Sequence, residues 1–190
     1  MGLSVDCSSH DASTHHVLRE RTAAAHARID TIVGDVLPDP DAYRAYLRGM
    51  HRFITTSEQA LCASACDLSQ ARARLEGDLA ALGAVALAPA PVAPQVDPAA
   101  QLGWEYVVSG ASVGARYLLR SAQALGYSAE RGARFLAGHS AAPVWPDFLA
   151  RLQRADLRGP ALERACAAAL SAFSTAEAAF RAASPEPVDD

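Results

Sequence analysis

Three glycines occupy one face of a helical pattern in residues 101–120. Gly103, Gly110 and Gly114 are spaced by seven and four residues, which places them on the same side of an α-helix. Each glycine inside a helix costs about 1 kcal/mol relative to alanine. A face without side chains serves either the close packing of another helix or the close approach of a flat ligand. The spacing alone favours helix packing and leaves the ligand as the alternative.

A histidine stands beside the apolar stripe of the first helical segment. Arg19 precedes His26 by seven residues, which is two turns and about 10 Å along the helix axis. A lone histidine on a helix is ordinarily a solvated or half-buried residue. Neutral imidazole is also a common ligand of metals and of haem iron. If His26 binds iron, Arg19 stands where it meets an anionic edge of the same ligand.

The elements that must position these residues are all predicted to be helices. Apolar residues recur with the helical period, and they predict helices over residues 16–33, 40–65, 69–82, 98–125, 128–137, 144–155 and 161–183. Ser13 or Thr14 caps the first helix, Asp39 the second and Ser128 the fifth. Residues 84–98 hold too many prolines for a helix or a central strand.

The pattern therefore predicts one all-α domain of six to eight helices over residues 14–183. Residues 1–13 and 184–190 are predicted to be disordered. Residues 138–143 are predicted to form a loop, and Arg158-Gly159-Pro160 to break the chain before the last helix.

Composition and charge exclude several classes of protein. The chain has 190 residues, of which 51% are apolar and 20% charged, which is typical of a globular domain. A net charge of -4 argues against nucleic acid as the main partner. Prolines interrupt the most apolar stretch, residues 79–96, so no membrane-spanning helix is predicted. Four cysteines are too few for a disulfide scaffold, and a reducing cytoplasm is expected.

Two motifs in this order resemble the haem oxygenase family, in its bacterial branch. The first helical segment has the pattern L-R-x-x-T-x-x-x-H, and the second motif, some eighty residues later, has L-G-x-x-Y-V-x-x-G-x-x-x-G. The matching residues are Leu18, Arg19, Thr22, His26, Leu102, Gly103, Tyr106, Val107, Gly110 and Gly114. The aromatic residues of the second helix, the proline-rich connector, the segment Trp145-Pro-Asp-Phe148 and the final alanine-rich helix also fit, so the resemblance covers most of the chain.

The resemblance implies an all-α fold that sandwiches haem between a proximal and a distal helix. His26 matches the proximal iron ligand, and Gly110 and Gly114 match the glycines of the distal helix. Arg19 and Tyr106 are further haem-binding candidates. Haem is then both substrate and cofactor, and it is converted to biliverdin, carbon monoxide and iron with oxygen and external electrons. The implied partners are an electron-donating reductase or ferredoxin and a photoreceptor that uses biliverdin.

The distal motif departs from the family pattern at three positions. The acid before the first glycine is Ser109, the polar residue after it is Ala111, and the second glycine of the closing pair is Ala115. Ala111 removes a polar group that could hold distal water, and Ala115 adds a methyl that is expected either to narrow the haem pocket or to change the kink of the distal helix. A weak or inactive relative that binds haem, biliverdin or a protein partner is therefore the alternative to an active enzyme. A plain helical bundle without haem is the third hypothesis.

Four other histidines have to be weighed against His26. His51 and His139 are rival iron ligands. His51 lies on a helix with arginines beside it, which indicates a polar face, and His139 is predicted to lie in a loop. His15 and His16 are predicted to be solvated at the start of the first helix.

Two further pairs of residues have simple explanations. Cys62 and Cys66 stand four apart on one predicted helix face, where they could touch one metal, but small buried side chains are favoured. Arg116 and Arg120 follow the glycine face and are expected at the surface, with haem carboxylates as the alternative.

Overall fold

The computed structural model describes residues 13–34 and 36–184. Within them the chain forms seven α-helices and no strand. The helices are α1 (Thr14–Val33), α2 (Pro40–Ala60), α3 (Ser69–Ala81), α4 (Pro98–Ala124), α5 (Arg134–Ala141), α6 (Val144–Ala155) and α7 (Gly159–Ala183). The all-α prediction is confirmed. The predicted disorder at the two ends falls, apart from Ser13 and Ser184, outside the described residues.

Local capping sets the ends of three helices. The side chain of Ser13 accepts a hydrogen bond from the His16 amide, and Asp39 and Asp97 cap α2 and α4 in the same way. Gly34 ends α1 with φ +76°, a conformation that other residues rarely adopt. These starts and stops agree with the sequence patterns.

The fifth helix begins six residues later than predicted. Ser128 forms a tight turn, in which its amide and carbonyl bond to Arg131 and its carbonyl also accepts from Ala133. The cap comes from another helix, because the buried Asp78 of α3 accepts the amides of Arg134 and Phe135 at 2.9 and 2.8 Å. Residues 138–141, predicted as a loop, therefore continue α5.

The second helix ends at Ala60, five residues earlier than predicted. The Ala60 carbonyl accepts the amide of Gln95 in the connector, and the Ser64 hydroxyl bonds to Glu105. Cys62 and Cys66 thus lie in a turn and do not share a helix face. They and Cys166 are free thiols.

The last helix begins two residues earlier than predicted, at Gly159. Pro160 lies in its first turn, where a missing amide proton costs no hydrogen bond. The expected break at Arg158-Gly159-Pro160 is therefore the start of α7.

Helix α7 is the centre of the fold. Helices α1, α2 and α4 all pack against it, and α1 and α4 make little direct contact with each other. Its packing face is built from buried alanines, which let the neighbouring backbones approach closely: Ala165, Ala169, Ala172 and Ala176. We call the surface that separates α1 from α4 along α7 the cleft. No helix in the described part of the chain is long and apolar enough to cross a membrane.

Candidate functional site

The His26 side chain on α1 is exposed and held by two neighbours. Its Nδ1 lies 2.8 Å from Oδ2 of Asp30, one turn later, and its ring meets the edge of Phe173 from α7 at 5.9 Å. An ionised carboxylate only accepts hydrogen bonds, so Nδ1 carries the proton and neutral His26 keeps its lone pair on Nε2. The side chain is 65% exposed, which leaves Nε2 accessible to a ligand. This is the orientation that carboxylates impose on metal-binding histidines.

The three glycines of α4 do two different things. A Cβ at Gly103 would overlap the Ala165 carbonyl of α7, lying 2.8 Å from its carbon, so Gly103 serves helix packing. A Cβ at Gly110 would meet only a ring carbon of Trp145, at 3.7 Å, and one at Gly114 would meet nothing within 4 Å. Helix packing therefore explains Gly103 and does not explain Gly110 and Gly114.

Aromatic rings from three helices close one end of the cleft. Trp145 of α6 lies 5.5 Å from Tyr106 of α4, 5.7 Å from Phe148 and 5.6 Å from His15 of α1. Tyr106 is buried next to the Thr22 hydroxyl, and burial raises the pKa of its phenol. His26 is one turn beyond Thr22, and Gly110 is one turn beyond Tyr106. His26 and Gly110 therefore each lie one turn from the contact between Thr22 and Tyr106.

An ion pair between the buried Glu105 and the partly exposed Arg151 holds α6 in place. Glu105 of α4 is 3% exposed, and it accepts hydrogen bonds from Arg151 at 2.6 Å and from Ser64. The Arg151 guanidinium also lies 5.7 Å from the centre of the Phe148 ring. Because Arg151 and Trp145 share α6, this pair fixes the helix that brings the indole against Gly110.

The residues around the distal glycines differ in burial. Ser109 is buried, and the Ser112 hydroxyl donates to the Ser109 carbonyl at 2.7 Å. Ala111 is half-buried and packs partly on the core. Ala115 is 1% exposed within the core, so its methyl does not point into the open face at Gly114. Ala115 therefore lies on the core side of α4.

The rival histidines lie elsewhere. His51 and His139 are both buried, and each faces α3, a helix that does not pack against α1. His51 has its Nε2 3.9 Å from Glu76, so its predicted polar face is buried rather than solvated. His139 lies in α5 and stacks on Phe135 at 4.9 Å, which corrects its predicted place in a loop. Burial lowers the pKa of His139 to about 4.

The exposed part of α4 follows the open glycine. Val113 and Tyr117 are 54% and 65% exposed, and Arg116 and Arg120 are exposed beside them. The surface prediction for the two arginines agrees with this placement, and Arg120 lies over the Tyr117 ring at 5.9 Å.

Two cavities in the described part of the chain lie away from the cleft. One, of about 260 Å³, is lined by Val33, Tyr46 and Phe180 among others, and one, of about 170 Å³, is lined by Arg52, Thr56 and neighbouring residues. Neither cavity is lined by His26, Gly110 or Gly114. The candidate site is therefore defined by the exposed His26 on α1 and by the open face of α4 at Gly114, and not by either cavity.

Sequence reasoning missed two members of this cleft. It dismissed His15 as solvated, although the His15 ring is half-buried against Trp145 and Tyr106. It also passed over Asp30, which the one-turn spacing from His26 would have indicated. The position of His15 has no sequence signal, because its neighbours come from α4 and α6.

Comparison with known proteins identifies the fold. The structure of the NO- and CO-bound haem oxygenase from Neisseria meningitidis superimposes with a TM-score of 0.72, at 24% sequence identity, over 90% of this chain and 92% of that chain. No protein-family model matches the sequence, and no curated protein matches it significantly. At this identity the likeness concerns the fold. The chain therefore has the all-α fold of a bacterial haem oxygenase.

Proposed function

We propose that the protein is a haem oxygenase, which converts haem to biliverdin, carbon monoxide and iron with oxygen and external electrons. The observation that carries the proposal is the division among the α4 glycines. Gly110 and Gly114 each have room for a Cβ that the sequence does not supply, whereas Gly103 is required by packing. A bare face is what a flat ligand needs for close approach to the backbone.

The residues present suit an axial haem ligand opposite a bare helix. His26 offers an accessible Nε2, and Asp30 keeps the proton on Nδ1. Arg19 is exposed on the same face of α1 and has no acidic partner among the described residues, so it is free to meet a carboxylate of the porphyrin. Trp145 and Tyr106 pack against each other beside this face, with their ring centres 5.5 Å apart.

Bound haem supplies the oxidative chemistry, because its iron and macrocycle carry the reactions that side chains cannot. The chain's own part is to hold the ring by one imidazole, to leave space above it at Gly110 and Gly114, and to order water nearby. The Ser112 hydroxyl, bonded to its own helix, still has acceptor capacity for such a water. Electrons would come from a reductase or ferredoxin, and a photoreceptor that uses biliverdin remains a predicted partner.

The second candidate is a haem-binding protein with slow or no turnover. Ala111 favours it, since a methyl neither donates nor accepts a hydrogen bond beside Gly110. A cytoplasmic location is proposed for both candidates, and the free thiols of Cys62, Cys66 and Cys166 support it, because free cysteines are typical of reducing compartments.

Hemin titration tests the proposal directly. Stoichiometric binding with a Soret band typical of histidine ligation is expected for the wild type and should be lost in His26→Ala. His16→Ala is the matched control, since His16 lies on the same helix but pairs with the exposed Glu20. Retention of the histidine-ligated spectrum in His26→Ala, with its loss in a His51 or His139 variant, would show that the wrong histidine was chosen.

Turnover then separates the two candidates. Adding ascorbate or a reductase in air should convert the bound hemin to biliverdin, followed by its absorbance. Stable ferrous haem under these conditions would support the binding protein instead.

A further inference from the structure

His15 has an environment that its place in the first turn of α1 does not explain. Its ring is wedged between Trp145 at 5.6 Å and Tyr106 at 6.3 Å, and it is half-buried. Within residues 13–34 and 36–184, neither ring nitrogen makes a hydrogen bond. Neither nitrogen is among the buried unpartnered atoms of the described residues, so both remain open to a ligand or to solvent.

Arg19 lies one turn after His15, on the same face of α1. It is exposed and has no carboxylate partner in the described part of the chain. The neighbouring His16 differs, because its Nε2 lies 3.1 Å from Glu20. Two donor groups one turn apart, with no acid between them, repel each other when both are charged and are stabilised by an anion.

We propose that His15 and Arg19 together hold one carboxylate of the bound porphyrin, and that the His15 ring takes up a proton from solvent when that carboxylate binds. This inference rests on the proposed function and assigns a role to a residue outside the motifs. The step adds one proton to a ring nitrogen of His15 and changes no other bond. Arg19 supplies a permanent charge, and His15 supplies one that appears on binding.

The surroundings of His15 explain why its charge should depend on the ligand. Burial first, and then the charges of Arg19 and His16, lower the pKa of His15, which favours the neutral ring in the free protein. From α4 it faces the phenol of Tyr106, and from α6 the uncharged indole of Trp145. A carboxylate against the ring would raise the pKa of His15 again. At a pH between the pKa of His15 in the free protein and its pKa in the complex, binding of the carboxylate is linked to protonation of the ring.

Isothermal titration calorimetry measures this linkage. Hemin is titrated at pH 7 in buffers with different ionisation enthalpies, which gives the number of protons taken up per hemin bound. The wild type should take up more protons than His15→Phe, by up to one. The hemin affinity of the wild type, divided by that of His15→Phe, should also rise as the pH falls between the two pKa values of His15. The rise should be up to about tenfold per pH unit. Any effect of His26 is common to both proteins and cancels in the difference.

Three controls separate this role from a structural one. His15→Gln keeps a donor but cannot titrate, so it should retain part of the affinity and lose the pH dependence. His16→Gln keeps the titrating ring of His15, so it should retain the extra proton uptake that His15→Phe loses. The dimethyl ester of hemin lacks both carboxylates, and the wild type should bind it without the extra proton.

Equal proton uptake by the wild type and His15→Phe would overturn the inference, and so would equal uptake with hemin and its dimethyl ester. The ester comparison uses the wild type only, so it decides the question even if the variants fail to fold. Absence of hemin binding by the wild type would be a different result, since it would refute the proposed function itself.

Discussion

Adding a methyl group to Gly114 should separate what the fold needs from what a ligand needs. A Cβ at this position meets no atom within 4 Å, and Gly114 lies in the interior of α4. Gly114→Ala should therefore stabilise the haem-free protein by about 1 kcal/mol, which is the difference in helix propensity. For a chain of this size that corresponds to a melting temperature higher by about 2–4 °C.

Gly103→Ala is the matched control with the opposite sign. The same methyl would overlap the backbone of Ala165, which cannot move without separating α4 from α7. Overpacking of this kind costs about 1–3 kcal/mol and outweighs the gain in propensity. Thermal melts of the two haem-free variants, followed by circular dichroism, should therefore shift in opposite directions.

A larger side chain at Gly114 tests whether this face binds hemin. Gly114→Leu should keep the haem-free protein at least as stable as the wild type, because leucine is a better helix former than glycine. Its side chain would fill the face proposed to lie against haem, so hemin affinity should fall at least tenfold, about 1.4 kcal/mol. Unchanged hemin affinity in Gly114→Leu would refute the assignment of this face, and a destabilised Gly114→Ala would refute the open geometry.

Three further predictions concern the distal helix, the buried ion pair and a buried histidine. Ala111→Ser should speed biliverdin formation in single-turnover absorbance without tightening hemin binding, and an unchanged rate would show that a polar group there is not limiting. Arg151→Met leaves the buried Glu105 with one partner fewer and should lower the unfolding free energy by about 1–3 kcal/mol in urea melts; the exposed Arg154→Met should change it by less than about 0.5 kcal/mol. The pKa of His139 is lowered to about 4 in the folded protein, so folded His139 binds its proton less tightly than the unfolded chain does. The stability should therefore be full above pH 6.5 and should be lost progressively as the pH falls from 6.5 to 4. His139→Phe should flatten this dependence, and urea melts with the same pH slope in both proteins would contradict it.

The sequence by itself determined the helices whose boundaries are local. The Ser13 and Asp39 caps act within a few residues, so cap chemistry predicted the start of α2, and periodicity predicted α1 to within two residues and α4 to within one. It also singled out His26 and the α4 glycines, because an imidazole beside an apolar stripe and glycines in an alanine-rich helix are unusual wherever the chain folds.

Tertiary structure decided the boundaries set by distant residues. Helix α5 begins at Arg134 because Asp78 caps it from α3, and α2 ends at Ala60 because the connector takes the Ala60 carbonyl. Residue spacing along one helix carries no information about such partners, which are dozens of residues away in sequence.

Only the tertiary structure assigned separate roles to the glycines and to His15. Gly103, Gly110 and Gly114 share one face by spacing, yet one meets the Ala165 backbone and another meets open space. His15 looks like a solvated residue at a helix start until α4 and α6 bring aromatic rings against it. The physical reason is that a helix face is fixed by local geometry, whereas what lies opposite that face depends on how the other helices pack around α7.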